Sequence, residues 1–556
     1  MKRYRSLLRA TALLLLTGGA ALPVHAAADD SAAERLIERV VRQEAQFMTQ
    51  LRGHSAIAET YIQEIPPEGA PAEIVRDHYF LGKVAFAGPL QYQPMASHSA
   101  APRAGRLLGL FKGRSSMFVA EGFAQMALID AEGFSRENYR MEYVRREFQG
   151  ELRCLVFDVE PLNPKAAGRF RGRIWVEDQG FQIVRFNGTY INGSSSHLYF
   201  HFESWRVNVA GSQWVPGFVY VEESGNPEKG SPMPRFKAQT RFWGYRPASA
   251  SRAGEMASIA VEAEAGVADR AASPEPTPLE NQRAWERQAE TNILERLEKG
   301  GLLAPPGPVD EVLTTVVNNL IASNGLGVEA RCRVLLTTPL ETFSVGRTIV
   351  ISRGLIDVLP DEASLAMVLS GELAHIALGH RTNTQFAFAD KTMLGEQELL
   401  GRLRLGRSEE EVRSAGERAI ELLTKSPYGP KLAVAGLFLK ALEAQAAQLP
   451  NLIRANLGNQ LASGTSLVRM QELAAGGPAL ERDKLEQLAA LPLGSRIHMD
   501  AWTDEIALLK TKAVALISAR DKLPFEVTPF VIYLSRAGTR AKEPNPAPGV
   551  AGPVQR

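Results

Sequence analysis

Cysteine is almost missing from this chain of 556 residues, which has only Cys154 and Cys332, so one disulfide is the most it can form. Both lie in apolar, strand-like runs, Leu152-Arg-Cys-Leu-Val-Phe and Cys332-Arg-Val-Leu-Leu. Two buried thiols are therefore expected rather than a bridge. Blocks of basic charge are missing too, apart from the first residues, which argues against nucleic acid as a partner. Beyond residue 26 no apolar run reaches the ~18 residues of a membrane span, so the mature chain is expected to have none. There is no Ser-centred nucleophile elbow and no Gly-rich phosphate loop.

What is present begins with a leader-like segment. Lys2, Arg3, Arg5 and Arg9 precede an apolar stretch from Ala10 to about Leu22, and Val24-His25-Ala26 offers small residues for cleavage. This pattern predicts a signal peptide over 1–26 and an exported, periplasmic or secreted protein. Its removal takes the 63 Lys+Arg to 59 against 62 Asp+Glu, a net charge of −3. With 45% hydrophobic and 22% charged residues, the remainder suits two or three globular domains, each with its own core.

The expected fold class is α+β and multidomain. A helix over Ala32–Arg52 is followed by two-residue periodicity from about Ser55 to Tyr245, broken by Asn192-Gly193, Gly211-Ser212 and Ser224-Gly-Asn-Pro. This predicts an antiparallel sheet curved as a half-barrel around a helix, over residues 27–246. With the run Gly168-Arg-Phe-Arg-Gly-Arg-Ile-Trp-Val-Glu-Asp-Gln-Gly-Phe-Gln-Ile-Val-Arg, the strand order resembles the outer-membrane lipoprotein-sorting carriers. That resemblance implies a concave face able to hold lipid, acyl chains or peptide. Residues 247–284 read as a linker, 285–450 as a mainly helical domain with a small sheet, 451–536 as a helical extension with a strand over Val527–Leu534 and a helix over Trp502–Leu509, and 537–556 as a flexible tail.

Chemistry concentrates at Ser370-Gly-Glu-Leu-Ala-His-Ile-Ala-Leu-Gly-His-Arg. A zinc peptidase helix reads His-Glu-x-x-His: two imidazoles four residues apart grip the metal, and the Glu polarises its water. Here Glu372 and His375 hold their places, and Gly371 stands where the first His belongs. At about 100° per residue, positions 371 and 375 share a face, whereas His380 falls about 140° from His375. His380 is therefore expected to pack or cap the helix end.

Residues 290–430 resemble the zinc metallopeptidase family of the HtpX heat-shock protease and the CAAX prenyl protease, of gluzincin type. The resemblance rests on Thr342-Phe-Ser-Val-Gly-Arg-Thr-Ile-Val-Ile-Ser-Arg-Gly-Leu-Ile, on the Gly371–His375 run and on Tyr428-Gly-Pro. It implies an edge strand that receives an extended peptide, with Phe343, Ile349 and Ile351 as substrate-binding residues. It also implies a third ligand at a position now held by Ser414, and an orienting Asp where Gly416 stands. His375 is then the sole zinc-ligand position left and Glu372 a vestigial general base, with Glu410, Glu411 and Glu417 as the carboxylates that could rebuild a site. The resulting expectation is a zinc-free binding or scaffold protein in envelope protein or lipoprotein handling. An active zinc endopeptidase with a rebuilt ligand set is one alternative. A lipid carrier acting through the N-terminal domain is the other.

Overall fold

The structure is a computed structural model, and it describes residues 24–65, 76–95, 118–131, 133–191, 200–209, 213–223, 235–247, 277–389, 396–464, 466–481, 484, 487, 493–494, 496–509 and 525–536. The hydrophobic part of the leader, most of the linker and the tail lie outside these residues. Among them no helix is long and apolar enough to cross a membrane.

Helix α1 (Val24–Leu51) starts earlier than its periodicity predicted. Val40, Glu44, Phe47, Met48 and Leu51 are buried at helical spacing. The strands follow: β1 (His54–Ile65), β2 (Arg76–Ala85), β3 (Gln91–Pro94), then the single-turn-and-a-half α2 (Ala120–Gln125), β4 (Tyr139–Gln149), β5 (Leu152–Pro161), β6 (Phe170–Glu177), β7 (Ile183–Tyr190), β8 (Phe202–Asn208), β9 (Trp214–Glu223) and β10 (Arg235–Pro247). They form one open antiparallel sheet in the order β3-β2-β1-β10-β9-β8-β7-β6-β5-β4. The expected helix-bearing β domain is therefore present, as a sheet that does not close.

One face of the sheet is filled by α1, α2 and aromatic side chains, among them Phe123, Phe170, Phe186, Phe202 and Phe236. The buried Glu44 on α1 is answered from this face. Arg206 on β8 donates from Nη1 and Nη2 to its two oxygens, each at 2.7 Å, and its guanidinium lies 3.7 Å over the Phe47 ring.

The other face packs against the C-terminal half, with Ile57, Tyr61, Trp205 and Trp243 in a core shared with it. This explains polar residues in the middle of strands. Glu59 on β1 accepts from the N–H and hydroxyl of Thr338 at 2.6 and 2.7 Å and from Arg353 at 2.9 Å. Asp77 on β2 accepts from the Asn451 and Leu452 N–H groups at 3.0 and 2.7 Å. Gln63 clasps the backbone of Phe525 and Val527. Burial of β1 on both faces is why it reads as a near-continuous buried strand.

The C-terminal half opens with α3 (Pro278–Lys299), started by a Thr277/Glu280 capping box, and α4 (Pro308–Asn324), stopped by Gly325 at φ +60°. Next come β11 (Arg331–Leu335), β12 (Glu341–Val345), β13 (Thr348–Ser352), α5 (Arg353–Val358), α6 (Glu362–Ala377), α7 (Glu396–Arg402), α8 (Glu409–Thr424), α9 (Leu432–Gln445) and α10 (Pro450–Ile453). The chain ends in short pieces: β14 (Asn459–Gln460), β15 (Ala462–Ser463), β16 (Ser466–Leu467), α11 (Gln471–Gly476), β17 (Ile497–Met499) and β18 (Ile506–Leu508).

The expected helical extension over 451–536 is thus corrected. Its described part is turns, strands of two and three residues and helices of four and six residues. Trp502–Leu509 is a turn leading into β18 rather than a helix, because Asp504 at φ +60° breaks the helical path and caps Gly244 N–H at 2.7 Å. Residues 527–534 are extended but form no ladder, since their polar partners are side chains and the single bond from Glu151 N–H to Leu534. Cys154 and Cys332 are buried and unbridged, and burial pushes both thiols up to about 12.

The Glu44–Arg206 pair supports a stability prediction. Glu44→Ala leaves the guanidinium buried without its anion and should cost about 3–5 kcal/mol in chemical denaturation. Glu44→Leu combined with Arg206→Met should recover most of that loss.

Candidate functional site

Helix α6 starts on Asp361, whose carboxylate accepts from Ser364 N–H at 2.8 Å, and it is buried from Ala366 to His375. Burial on all sides explains its weak amphipathicity. The helix ends at Ala377. Gly379 at φ +73° then turns the chain back, and His380 N–H caps the His375 carbonyl at 3.0 Å. The angular separation expected for His380 assumed a helix that runs on. In the structure the turn brings His380 Nδ1 to 2.8 Å from His375 Nδ1. His380 does cap the helix end, as expected, and it also pairs with the one imidazole of the motif.

Glu372 is fully buried and three groups converge on its Oε1: Thr342 Oγ1 at 2.7 Å, Asn459 Nδ2 at 3.1 Å and Arg469 Nη1 at 3.0 Å. Arg469 Nη2 donates in turn to Thr342 Oγ1 at 2.6 Å, which closes a ring. Burial pushes the Glu372 carboxyl up, but Arg469, His375 and the hydrogen bonds outweigh it and hold the group below its ordinary range. It is an ionised carboxylate whose Oε1 takes three protein donors while Oε2 has only Asn459 Nδ2 at 3.4 Å, with a guanidinium as its counter-ion. Burial drives His375 down to about 4, so its ring is neutral at pH 7. Its Nε2 is buried without a partner among the described residues.

Two bare backbones make room for this arrangement. A β-carbon on Gly371 would stand 3.0 Å from Arg469 Nη1 and 3.3 Å from Met470 Cε. One on Gly416 of α8 would meet Met470 N at 3.6 Å and Arg469 Cβ at 3.9 Å. Met470 takes the left-handed conformation, φ +60°, which wedges the Arg469-Met470 pair between α6 and α8. The remaining ligand position, Ser414, donates its hydroxyl to the Glu411 carbonyl of its own helix at 3.1 Å. Glu411 is engaged in the capping box with Ser408, and Glu410 and Glu417 are exposed. None of the three carboxylates rebuilds the site.

A divalent ion fits these residues poorly. Zinc needs about three protein donors. The positions offer one imidazole, a carboxylate ion-paired to Arg469 with three donors on one oxygen, a hydroxyl turned to its own helix, and a fixed positive charge. Among the described residues no group of three His, Cys, Asp or Glu side chains could hold a metal.

The strand beside the site also differs from expectation. The small sheet runs β11-β13-β12-β14, so β13, which carries Ile349 and Ile351, is internal rather than at an edge. Phe343, Ile349 and Ile351 are fully buried. Strand β12 has the outer position, but β14 pairs antiparallel with it, Asn459 opposite Thr342 and Gln460 opposite Glu341. Farther along, Arg407 Nη2 and the Thr382 hydroxyl donate to the Ser344 carbonyl at 3.2 and 3.4 Å. The edge on which an added strand was expected is covered by the chain itself. Gly346 is the turn residue predicted, at φ +55°.

Residues 310–456, which include α6 with Glu372 and His375, the β12–β13 hairpin and α8, match peptidase family M48. No curated protein matches the chain. Among solved structures, it is similar to a DUF1329 family protein from Desulfovibrio piger ATCC 29098, with 13% identity and a TM-score of 0.23, covering 39% of this chain and 93% of that one. It is also similar to a domain described as an outer membrane lipoprotein-sorting protein from Vibrio parahaemolyticus, with 10% identity and a TM-score of 0.20, covering 40% and 97%. Asn459 and Arg469 lie beyond the matched segment.

Sequence reasoning missed both residues. Arg469 lies 97 positions from Glu372. The one signal was indirect: two adjacent glycine replacements leave a volume that something must fill.

Two measurements follow. Arg469→Ala strands an ionised, buried Glu372 and should destabilise by about 3–5 kcal/mol in chemical denaturation, while Glu372→Ala with Arg469→Ala should lose less than the sum of the single variants. Glu341 sits at the start of β12, where burial pushes its carboxyl from 4.5 up to about 6, against hydrogen bonds from Gly458 and Leu457 N–H. Its Oε1 is buried without a partner, which suits a protonated acid. A raised acid stabilises fully below its unfolded value and loses that contribution as pH rises through the folded value. Stability should therefore fall by about 2 kcal/mol in all as pH rises from below 4 to above 7 on this account, most steeply between 4.5 and 6, and Glu341→Gln should flatten the slope in that window.

Proposed function

We propose that this chain is a non-catalytic binding or scaffold protein in which an M48-type domain has exchanged its metal for an internal guanidinium. The observation that carries this reading is Arg469: its Nη1 stands 3.0 Å from Glu372 and 3.0 Å from where a side chain on Gly371 would begin. A general base must reach water, and Glu372 is fully buried with its Oε1 taken by Thr342, Asn459 and Arg469. The buried edge of β12 supports the same reading, because the strand that would receive a peptide is paired with β14.

The place of action we assign is outside the cytoplasm, in the handling of envelope proteins or lipoproteins. The leader-like first 26 residues support export, and the sorting-carrier resemblance in the sequence supports the process. Lipid binding within the N-terminal domain belongs to the same proposal.

The competing reading, an active zinc endopeptidase, has one observation in its favour: the unpartnered Nε2 of His375. Metal analysis of the purified full-length chain separates the two. We expect far less than one zinc per chain and no chelator-sensitive hydrolysis of an unfolded protein substrate. About one zinc per chain, lost together with proteolysis on chelation, would overturn the proposal. A rebuilding experiment tests the geometry. Gly371→His with Ser414→Glu should gain no zinc affinity while Arg469 fills the space, and adding Arg469→Ala should create it.

A further inference from the structure

A second cavity, of about 370 Å³, opens at the seam between the large sheet and the C-terminal half. Its floor is apolar: Ile57 on β1, Met95 after β3 and Leu400 on α7 are all buried. Its rim is cationic, with Lys83 on β2, Arg246 on β10 and Lys299 at the end of α3, against the single carboxylate Glu398.

Ion pairing around the rim is uneven. Glu398 is taken by Arg402 at 2.5 Å and Arg246 by Asp504 at 2.9 Å. Lys299 has only Glu295, at 3.6 Å, with both side chains mostly exposed. Lys83 makes no ion pair among the described residues, and it stands directly across the ladder from Ile57. Two ammonium groups are therefore available above an apolar floor, and exposed pairs such as Lys299–Glu295 are weak enough for a ligand to compete with.

The walls are fixed by hydrogen bonds that do not depend on a ligand. The Trp243 indole donates to the Gly301 carbonyl at 2.8 Å, tying β10 to the end of α3. Gly244 and Gly301 have φ of +66° and +71°, so both require glycine, and a β-carbon on Gly301 would stand 2.7 Å from Ile57 Cδ1. The register slip between Ser55 and Ile57 in β1 sets that side chain in the floor. A concave apolar site with a few fixed polar groups is the usual form of a small-molecule pocket.

We infer that this cavity binds a small amphipathic anion, its carboxylate or phosphate head held between Lys83 and Lys299 and its apolar chain laid on Ile57, Met95 and Leu400. The site lies on the opposite face of the sheet from α1, and the inference stands whether or not the M48-type domain binds metal.

The test is isothermal titration of the full-length chain with decanoate, decyl phosphate and decanol, each below its aggregation limit. At least one anion should bind, decanol should bind at least about tenfold more weakly, and Lys83→Glu with Lys299→Glu should weaken the anion at least about tenfold. Both lysines are exposed, so circular dichroism and thermal melting should be unchanged in the double variant. Binding of decanoate alone would assign a fatty carboxylate, and binding of decyl phosphate alone a phosphorylated chain. No binding of either anion, equal binding of decanol, or a folded double variant that binds like the parent would each overturn the inference.

Discussion

A carboxylate held in the interior needs a positive charge near it, and the surroundings of Glu372 are arranged around how that need is met. Burying an ion without a partner costs several kcal/mol. In a metallopeptidase helix the cation beside the Glu is bound metal. Here it is a guanidinium on the same chain, delivered by a segment that passes between α6 and α8. The guanidinium lies against the bare backbone of Gly371, where a β-carbon would stand 3.0 Å from Arg469 Nη1, and Gly416 on the other helix faces the same segment. The segment that carries Arg469 also supplies Asn459, and through β14 it closes the strand edge next to the site. Counter-ion, hydrogen-bond donor and covering strand arrive together.

The same economy of polar groups joins the two halves of the molecule. Glu59, Gln63 and Asp77 lie in strands where apolar residues would be expected, and each is spent on the backbone or a cation of the C-terminal half. The sheet is therefore a wall between two cores rather than a free-standing half-barrel. Strand β1 is the most committed, since α1 packs on one side of it and Thr338 and Arg353 hold its Glu59 on the other.

Much of this was legible in the chain. The shift from helical to two-residue periodicity located the sheet, the Gly371–His375 run located α6, and counting back from Tyr428-Gly-Pro placed Ser414 and Gly416 on one helix facing it. What was not legible depends on contacts between distant residues. Nothing in the local pattern of Leu467-Val-Arg-Met-Gln marks Arg469 as a buried ion, because a lone Arg between Val468 and Met470 gives no sign of a counter-ion that lies 97 positions away. Strand β14 is two residues long, too short for periodicity to register. The pairing of His380 with His375 was not legible, because the angular separation read from the sequence assumed a helical continuity that Gly379 breaks. The strand order of the small sheet, which puts Ile349 and Ile351 inside, follows from β11 pairing parallel to β13, a crossover that no sequence period encodes.

The left-handed turn at Met470 bears on which substitutions the site accepts. With Arg469-Met470 wedged between α6 and α8, a bulky side chain at 371 meets a filled space. Losing the wedge instead leaves a naked interior anion. Each single change is worse than keeping both residues as they are, so positions 371 and 469 are locked to each other.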